Sequence, residues 1–191
     1  MTDPLSPEVK ALIAKARIVS FAGWSEQYGA ARVAQLQAAD DSQQYLSDEA
    51  LQGLPGAAIA KILRDRATDL VDQARAEVLA QFPQITEPGG GLYPPLRAEA
   101  CWRDFWQFLR CVTYGIAAQR QDYTSATGLA YMEQLYQVLQ VPLDAMVCGI
   151  QALKAASLQA LTAEQAAKTA PHFDRLIHAL EQFQTAAASS S

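Results

Sequence analysis

From Leu96 to Ala118 the chain carries Trp102, Phe105, Trp106, Phe108, Leu109, Val112, Tyr114 and Ile116. At helical spacing these residues leave no broad polar face, and a helix that is apolar almost all the way round has to be enclosed by other elements. This segment is therefore expected at the centre of the fold. The residues before it, Phe82 to Pro95, include Pro83, Pro88, Gly89, Gly90, Gly91, Pro94 and Pro95, which cannot continue a helix and read as a loop. Elsewhere the apolar period is helical, and no alternation of apolar and polar residues lasts long enough for a sheet. The fold class is all-α.

Capping chemistry places the other elements. Ser6-Pro7-Glu8 starts a first helix whose stripe is Val9, Leu12, Ile13, Ala16 and Val19 and whose end is expected near Gly23. A second helix is expected from Ser25 to Gln44, and a third from the Ser47-Asp48-Glu49 cap to the bend at Leu54-Pro55-Gly56. A long helix from Ala57 to Gln81 precedes the loop. After the central helix, others are expected over Ser125–Gln140, Leu143–Leu161 and Ala163–Phe183, followed by a small-residue tail from Ala186 to Ser191. The spacing has no heptad seam and no internal repeat, which favours a compact helical globule.

With 191 residues, half of them apolar, the chain suits one domain plus an appendage. A net charge of −5 without a basic stripe argues against nucleic-acid and anionic-membrane partners. Apolar runs are interrupted well before the roughly 20 residues of a membrane span. The three cysteines, Cys101, Cys111 and Cys148, match no zinc or redox spacing. Cys111 and Cys148 read as small buried hydrophobes. His172 and His178 fall on the last helix, away from where a haem ligand belongs, and no nucleophile–base pair appears, so the chain reads as a non-enzyme.

Cys101 has different neighbours. On a helix, Cys101, Asp104, Phe105 and Phe108 share one face, with Arg103 to its side and Arg97 one turn earlier. Charges in so apolar a helix require partners. Either Arg103 and Asp104 pair with other helices or solvent, or they meet a ligand. A linear tetrapyrrole satisfies all of them: it offers an unsaturated side chain for a thioether, propionates for arginines, and pyrrole N–H groups for one carboxylate.

Three runs then carry a resemblance: Glu87-Pro88-Gly89-Gly90-Gly91-Leu92-Tyr93, Cys101-Trp102-Arg103-Asp104, and Phe108-Leu109-Arg110-Cys111-Val112-Thr113-Tyr114-Gly115. They resemble the P-G-G-N-A-Y, C-L-R-D and Y-L-R-x-x-T-Y-G segments of the allophycocyanin-type phycobiliproteins. The resemblance runs over roughly residues 36 to 183, through Ala38-Ala39-Asp40, Tyr45-Leu46-Ser47, Gly128-Leu129, Tyr136, Pro142, Gly149-Ile150 and Phe173-Asp174.

The resemblance implies a globin-like phycobiliprotein fold with N-terminal docking helices, preceded here by an extra helix. Residues 1–27 would be that extension, 28–185 the domain and 186–191 the tail. It implies phycocyanobilin or a related bilin on a thioether to Cys101, with Asp104 accepting pyrrole N–H bonds, Arg103 and Arg97 on propionates, and Phe105 and Phe108 as walls. The implied function is light absorption and excitation transfer in or near a phycobilisome core, peripheral to the cytoplasmic or stromal face of the thylakoid. The alternative is a bilin-free linker, capping or assembly protein of the same fold. Other phycobiliprotein subunits are the expected partners through Asp40 and Arg110 across a subunit interface, and a linker or photosystem through the N-terminal extension. Several positions depart from the pattern. Gly91 stands where Asn is usual, Gln119-Arg120 where Gly-Asp is, and Trp102, Trp106 and Gln107 are expected to alter the edge of the pigment pocket.

Overall fold

The structure is a computed structural model that describes residues 6–184; the expected tail from Ala186 lies outside them. The helices are α1 (Pro7–Lys15), α2 (Ser25–Tyr28), α3 (Ala30–Asp41), α4 (Asp48–Leu51), α5 (Ala57–Asp65), α6 (Ala67–Gln81), α7 (Pro95–Ala118), α8 (Ala126–Leu139), α9 (Leu143–Gln159) and α10 (Ala163–Glu181). Among the described residues the sole β pairing is one isolated bridge. The caps expected at Ser6 and Ser47 form, each accepting from the backbone N–H three residues on; Ser125 does the same for α8, and Thr162 makes a capping box with Gln165.

Helix α7 is the axis. Every residue from Phe108 to Ala118 on it is buried, as its all-round apolar surface demands. Helix α5 packs on α7, α6 on α9, α9 on α10, and α1 on α8.

Three expected helices are shorter or divided. α1 stops at Lys15 rather than near Gly23, because the chain beyond it pairs with the start of α8. Ser20 N–H donates to Tyr123 O (2.8 Å), Ser125 N–H to Ile18 O (2.7 Å) and Arg17 N–H to Gly128 O (3.2 Å), around the Val19–Thr124 bridge. β-branched Ile18 and Val19 suit that extended strip. The second helix is broken at Gly29, whose φ of 77° is open to glycine and not to most residues. The long helix from Ala57 divides at Arg66, with φ −108° and ψ 10°.

The N-terminal arm folds onto its own domain. Trp24 is fully buried, edge-on to Phe21 at 5.1 Å and beneath the Arg120 guanidinium at 5.5 Å. Tyr28 Oη donates to Ala118 O at 2.5 Å. Arg120, one of the departures from the family pattern, thus ties the arm to the end of α7, and it is held there by Asp122 and Gln27.

The expectation for Asp40 and Arg110 is corrected by the same geometry. The two residues meet within one chain: Arg110 Nη1 donates to Asp40 Oδ1 at 2.8 Å, with side chains only 6 % and 5 % exposed. The pair is therefore closed within the chain. Tyr114 completes the knot, accepting from Arg110 (2.7 Å) and donating to Gln44 O.

Candidate functional site: a cavity on the central helix

The first half of α7 lines a cavity of about 400 Å³ that opens to solvent on one side, a size suited to a small-molecule ligand. Arg97, Ala100, Cys101, Arg103, Asp104 and Gln107 come from α7, and Leu135, Tyr136 and Leu139 from α8. The loops add Leu92, Val141 and Pro142, and α9 adds Met146. Two more residues reach it from the N-terminal arm, Ile13 of α1 and Gln43 after α3.

Each residue advances about 100° around a helix. The line Arg97, Ala100, Asp104 and Gln107 therefore faces the cavity, and Cys101 sits at its inner edge. Phe105 lies one step further round and is turned away. Its ring fills the space above Gly149 of α9, and it is fully buried, with Phe108 beside it at 6.3 Å. Neither phenylalanine lines the cavity, which corrects their expected role as walls. Trp102 and Trp106 do not line it either. Trp102 packs under the Arg75 guanidinium (5.3 Å) and Trp106 lies edge-on to Tyr45 (4.6 Å). Of the three bulky departures, only Gln107 reaches the cavity.

Cys101 Sγ donates to Met146 Sδ at 3.1 Å, and burial pushes the thiol up to about 12. Burial likewise raises the Asp104 carboxyl to about 6, the Arg103 charge and a hydrogen-bonding contact from the Tyr136 phenol only partly offsetting it. Tyr136 opposes Asp104 from α8. Burial and the Asp104 carboxylate hold its phenol well above the usual range, and its oxygen is buried without a hydrogen-bond partner of ordinary geometry. Arg103 is exposed at the rim. Arg97 is already engaged: its guanidinium donates to Leu139 O (2.9 Å), Gln140 O (3.0 Å) and Gly91 O (3.2 Å), capping the end of α8 and clamping the Gly/Pro loop. It reads as a structural clamp at the cavity wall more than as a free anion receptor.

The cavity thus joins Cys101, Arg103 and Asp104 as the sequence pattern suggested, and adds Tyr136, Met146, Ile13 and Gln43, which it did not single out. Tyr136 falls in the stretch that resembles the allophycocyanins, and Leu135, Tyr136 and Leu139 stand at helical spacing. The other three carry no signal of their own.

The phycobilisome protein family matches residues 34–180. The chain is 36% identical over 147 residues to the allophycocyanin subunit alpha-B of Synechocystis sp., covering 73% of this chain and 91% of that one. It is 32% identical over 122 residues to the allophycocyanin alpha-B chain of Porphyra purpurea, covering 64% and 76%. Among solved structures it is similar to a far-red fluorescent biliprotein derived from an allophycocyanin F subunit of Chroococcidiopsis thermalis. The TM-score is 0.61 at 24% identity, over 66% of this chain and 96% of that one. That likeness carries the fold, which is globin-like.

Proposed function

Because this chain belongs to the phycobilisome protein family, we propose that it is an allophycocyanin-like light-harvesting subunit that holds a bilin, phycocyanobilin or a relative, in the cavity at Cys101. The observation that carries this reading is a set of polar groups in the cavity that the protein satisfies only in part. Asp104 is desolvated with the Tyr136 phenol as its partner across the cavity, and Arg103 stands exposed at the mouth. A buried polar group without a partner costs on the order of 1–3 kcal/mol, so a ligand with N–H donors and carboxylates is the complement that recovers it.

When bound, the pigment supplies visible absorption and excitation transfer; the protein supplies restraint. Asp104 orients the pigment by accepting its pyrrole N–H groups, and Arg103 anchors a propionate by a charge-assisted bond. Leu92, Leu135, Leu139 and Pro142 exclude water from one side. Cys101 carries the thioether. Burial raises its thiol and the thiolate is the nucleophile, so attachment by a separate lyase suits this site. Other phycobiliprotein subunits are the partners this reading implies, with the complex peripheral to the cytoplasmic or stromal face of the thylakoid. No helix among the described residues is long and apolar enough to cross a membrane.

The contact of Cys101 with Met146 favours a second reading, a bilin-free linker, capping or assembly protein, since the sulfur is already engaged and its residue only 4% exposed. Expression in a bilin-producing host separates the two. The pigment reading expects visible absorbance of the native protein, zinc-enhanced fluorescence of the denatured chain, and loss of both the fluorescence and the adduct mass in Cys101→Ser with helical circular dichroism retained. A colourless wild-type protein refutes it. Unchanged adduct mass on Cys101→Ser moves the attachment to Cys111 or Cys148.

A further inference from the structure

We propose that α1 is an added wall and lid of the cavity, with Ile13 a ligand-contacting residue supplied from outside the family's own domain. This deepens the pigment-pocket reading and rests on it for the nature of the ligand. The residues matched to the family begin at 34, yet Ile13 lines the cavity together with Asp104 and Tyr136. Helix α1 lies on α8, the helix that supplies Leu135, Tyr136 and Leu139.

The way α1 is held suits a lid. Its buried residues are Val9 and Leu12, and Lys15 stands over the Tyr131 ring at 5.2 Å. The strip that follows it is fixed much more firmly, by three backbone hydrogen bonds to residues 123–128. At Gly128 a Cβ would fall 2.3 Å from Arg17 O, so the strip lies directly on the backbone of α8. A short helix with few buried side chains on a firm anchor opens locally at lower cost than the domain unfolds. Ile13, next to the buried Leu12, is 46% exposed although it reaches the cavity.

Two measurements on the full chain test this, one of them without pigment. In the apo protein, alkylation by iodoacetamide is followed at Cys101 and at Cys111 by peptide mass spectrometry. Leu12→Asp, which removes a buried anchor of α1, should raise the Cys101 rate about tenfold or more and leave the fully buried Cys111 unchanged. An unchanged Cys101 rate overturns the lid, and so does a parallel rise at Cys111, because α1 is then part of the general fold. The second measurement titrates apo protein with biliverdin, an open-chain tetrapyrrole, and follows its visible band. Ile13→Ala should weaken binding about three- to tenfold; equal affinity overturns the contact. If the wild type takes up no biliverdin while Cys101 alkylation behaves as expected, the lid stands and the pigment reading fails.

Discussion

Asp104→Asn should make the pigment-free protein more stable and the pigmented protein worse. The carboxyl is raised from 3.8 to about 6, so its ionised form is disfavoured in the folded chain by up to about 3 kcal/mol, at 1.36 kcal/mol per tenfold. Asparagine has nearly the shape of the protonated acid and never ionises. The sign follows from proton binding. Between pH 3.8 and about 6 the folded chain holds more protons on this group than the unfolded chain, so its contribution to stability falls as pH rises through that window. Below the window Asp and Asn behave alike; above it the wild type bears the whole penalty. In urea melts of apo protein the variant should therefore gain about 1–3 kcal/mol at pH 7.5, shrinking toward nothing below pH 4. Taking the difference between the two proteins at each pH cancels every other titrating group. With pigment bound the order reverses, since Asn accepts the pyrrole N–H bonds less well and the visible band should weaken and broaden. A pH-independent difference, or a variant less stable than wild type at pH 7.5, would refute the claim that burial destabilises this carboxylate.

Two further substitutions probe the frame that holds the cavity. Arg110→Ala leaves Asp40 buried and unpaired, which should cost about 3–5 kcal/mol; the urea midpoint should drop independently of protein concentration, and Asp40→Leu combined with Arg110→Met should recover much of the loss. A midpoint that moves with concentration would return this pair to a subunit interface. Gly149→Ala would place a Cβ 1.9 Å from Phe105 Cζ, and overpacking of that kind should cost about 1–3 kcal/mol; a thermal melt that matches wild type would show that α7 and α9 have room to separate.

What could be read from the sequence, and what could not, divides along the range of the interaction. The apolar girth of α7, the Ser6 and Ser47 caps and the Pro/Gly loop act within a few residues, and each forms as expected. The Arg97–Asp104 portion of α7 reaches the cavity for the same local reason. The termination of α1 at Lys15 depends on residues 123–128, more than a hundred positions away, which offer the backbone a better pairing than another helical turn. The rotation of α7 is non-local too. Cys101, Asp104, Phe105 and Phe108 do share a broad face, but α9 occupies one side of it and the cavity the other. Gly149, small enough to admit the Phe105 ring, decides which side is which.

The two Asp–Arg sets on this protein show where a pattern of charges has meaning and where it does not. Asp40 and Arg110 are seventy residues apart and close at 2.8 Å; complementarity alone identifies them as partners but says nothing about whether one chain or two supply them, and the buried contact within this chain answers that. Arg103 and Asp104 are adjacent on α7, and adjacent helical residues point about 100° apart and do not face each other. Arg103 therefore moderates the Asp104 charge through space and cannot close on it. The carboxylate is left desolvated toward the cavity and the guanidinium exposed at its rim. The first set has nothing left to offer a ligand. The second has an acceptor inside and a cation at the mouth, an arrangement that a molecule with inward N–H donors and an outward carboxylate would complement.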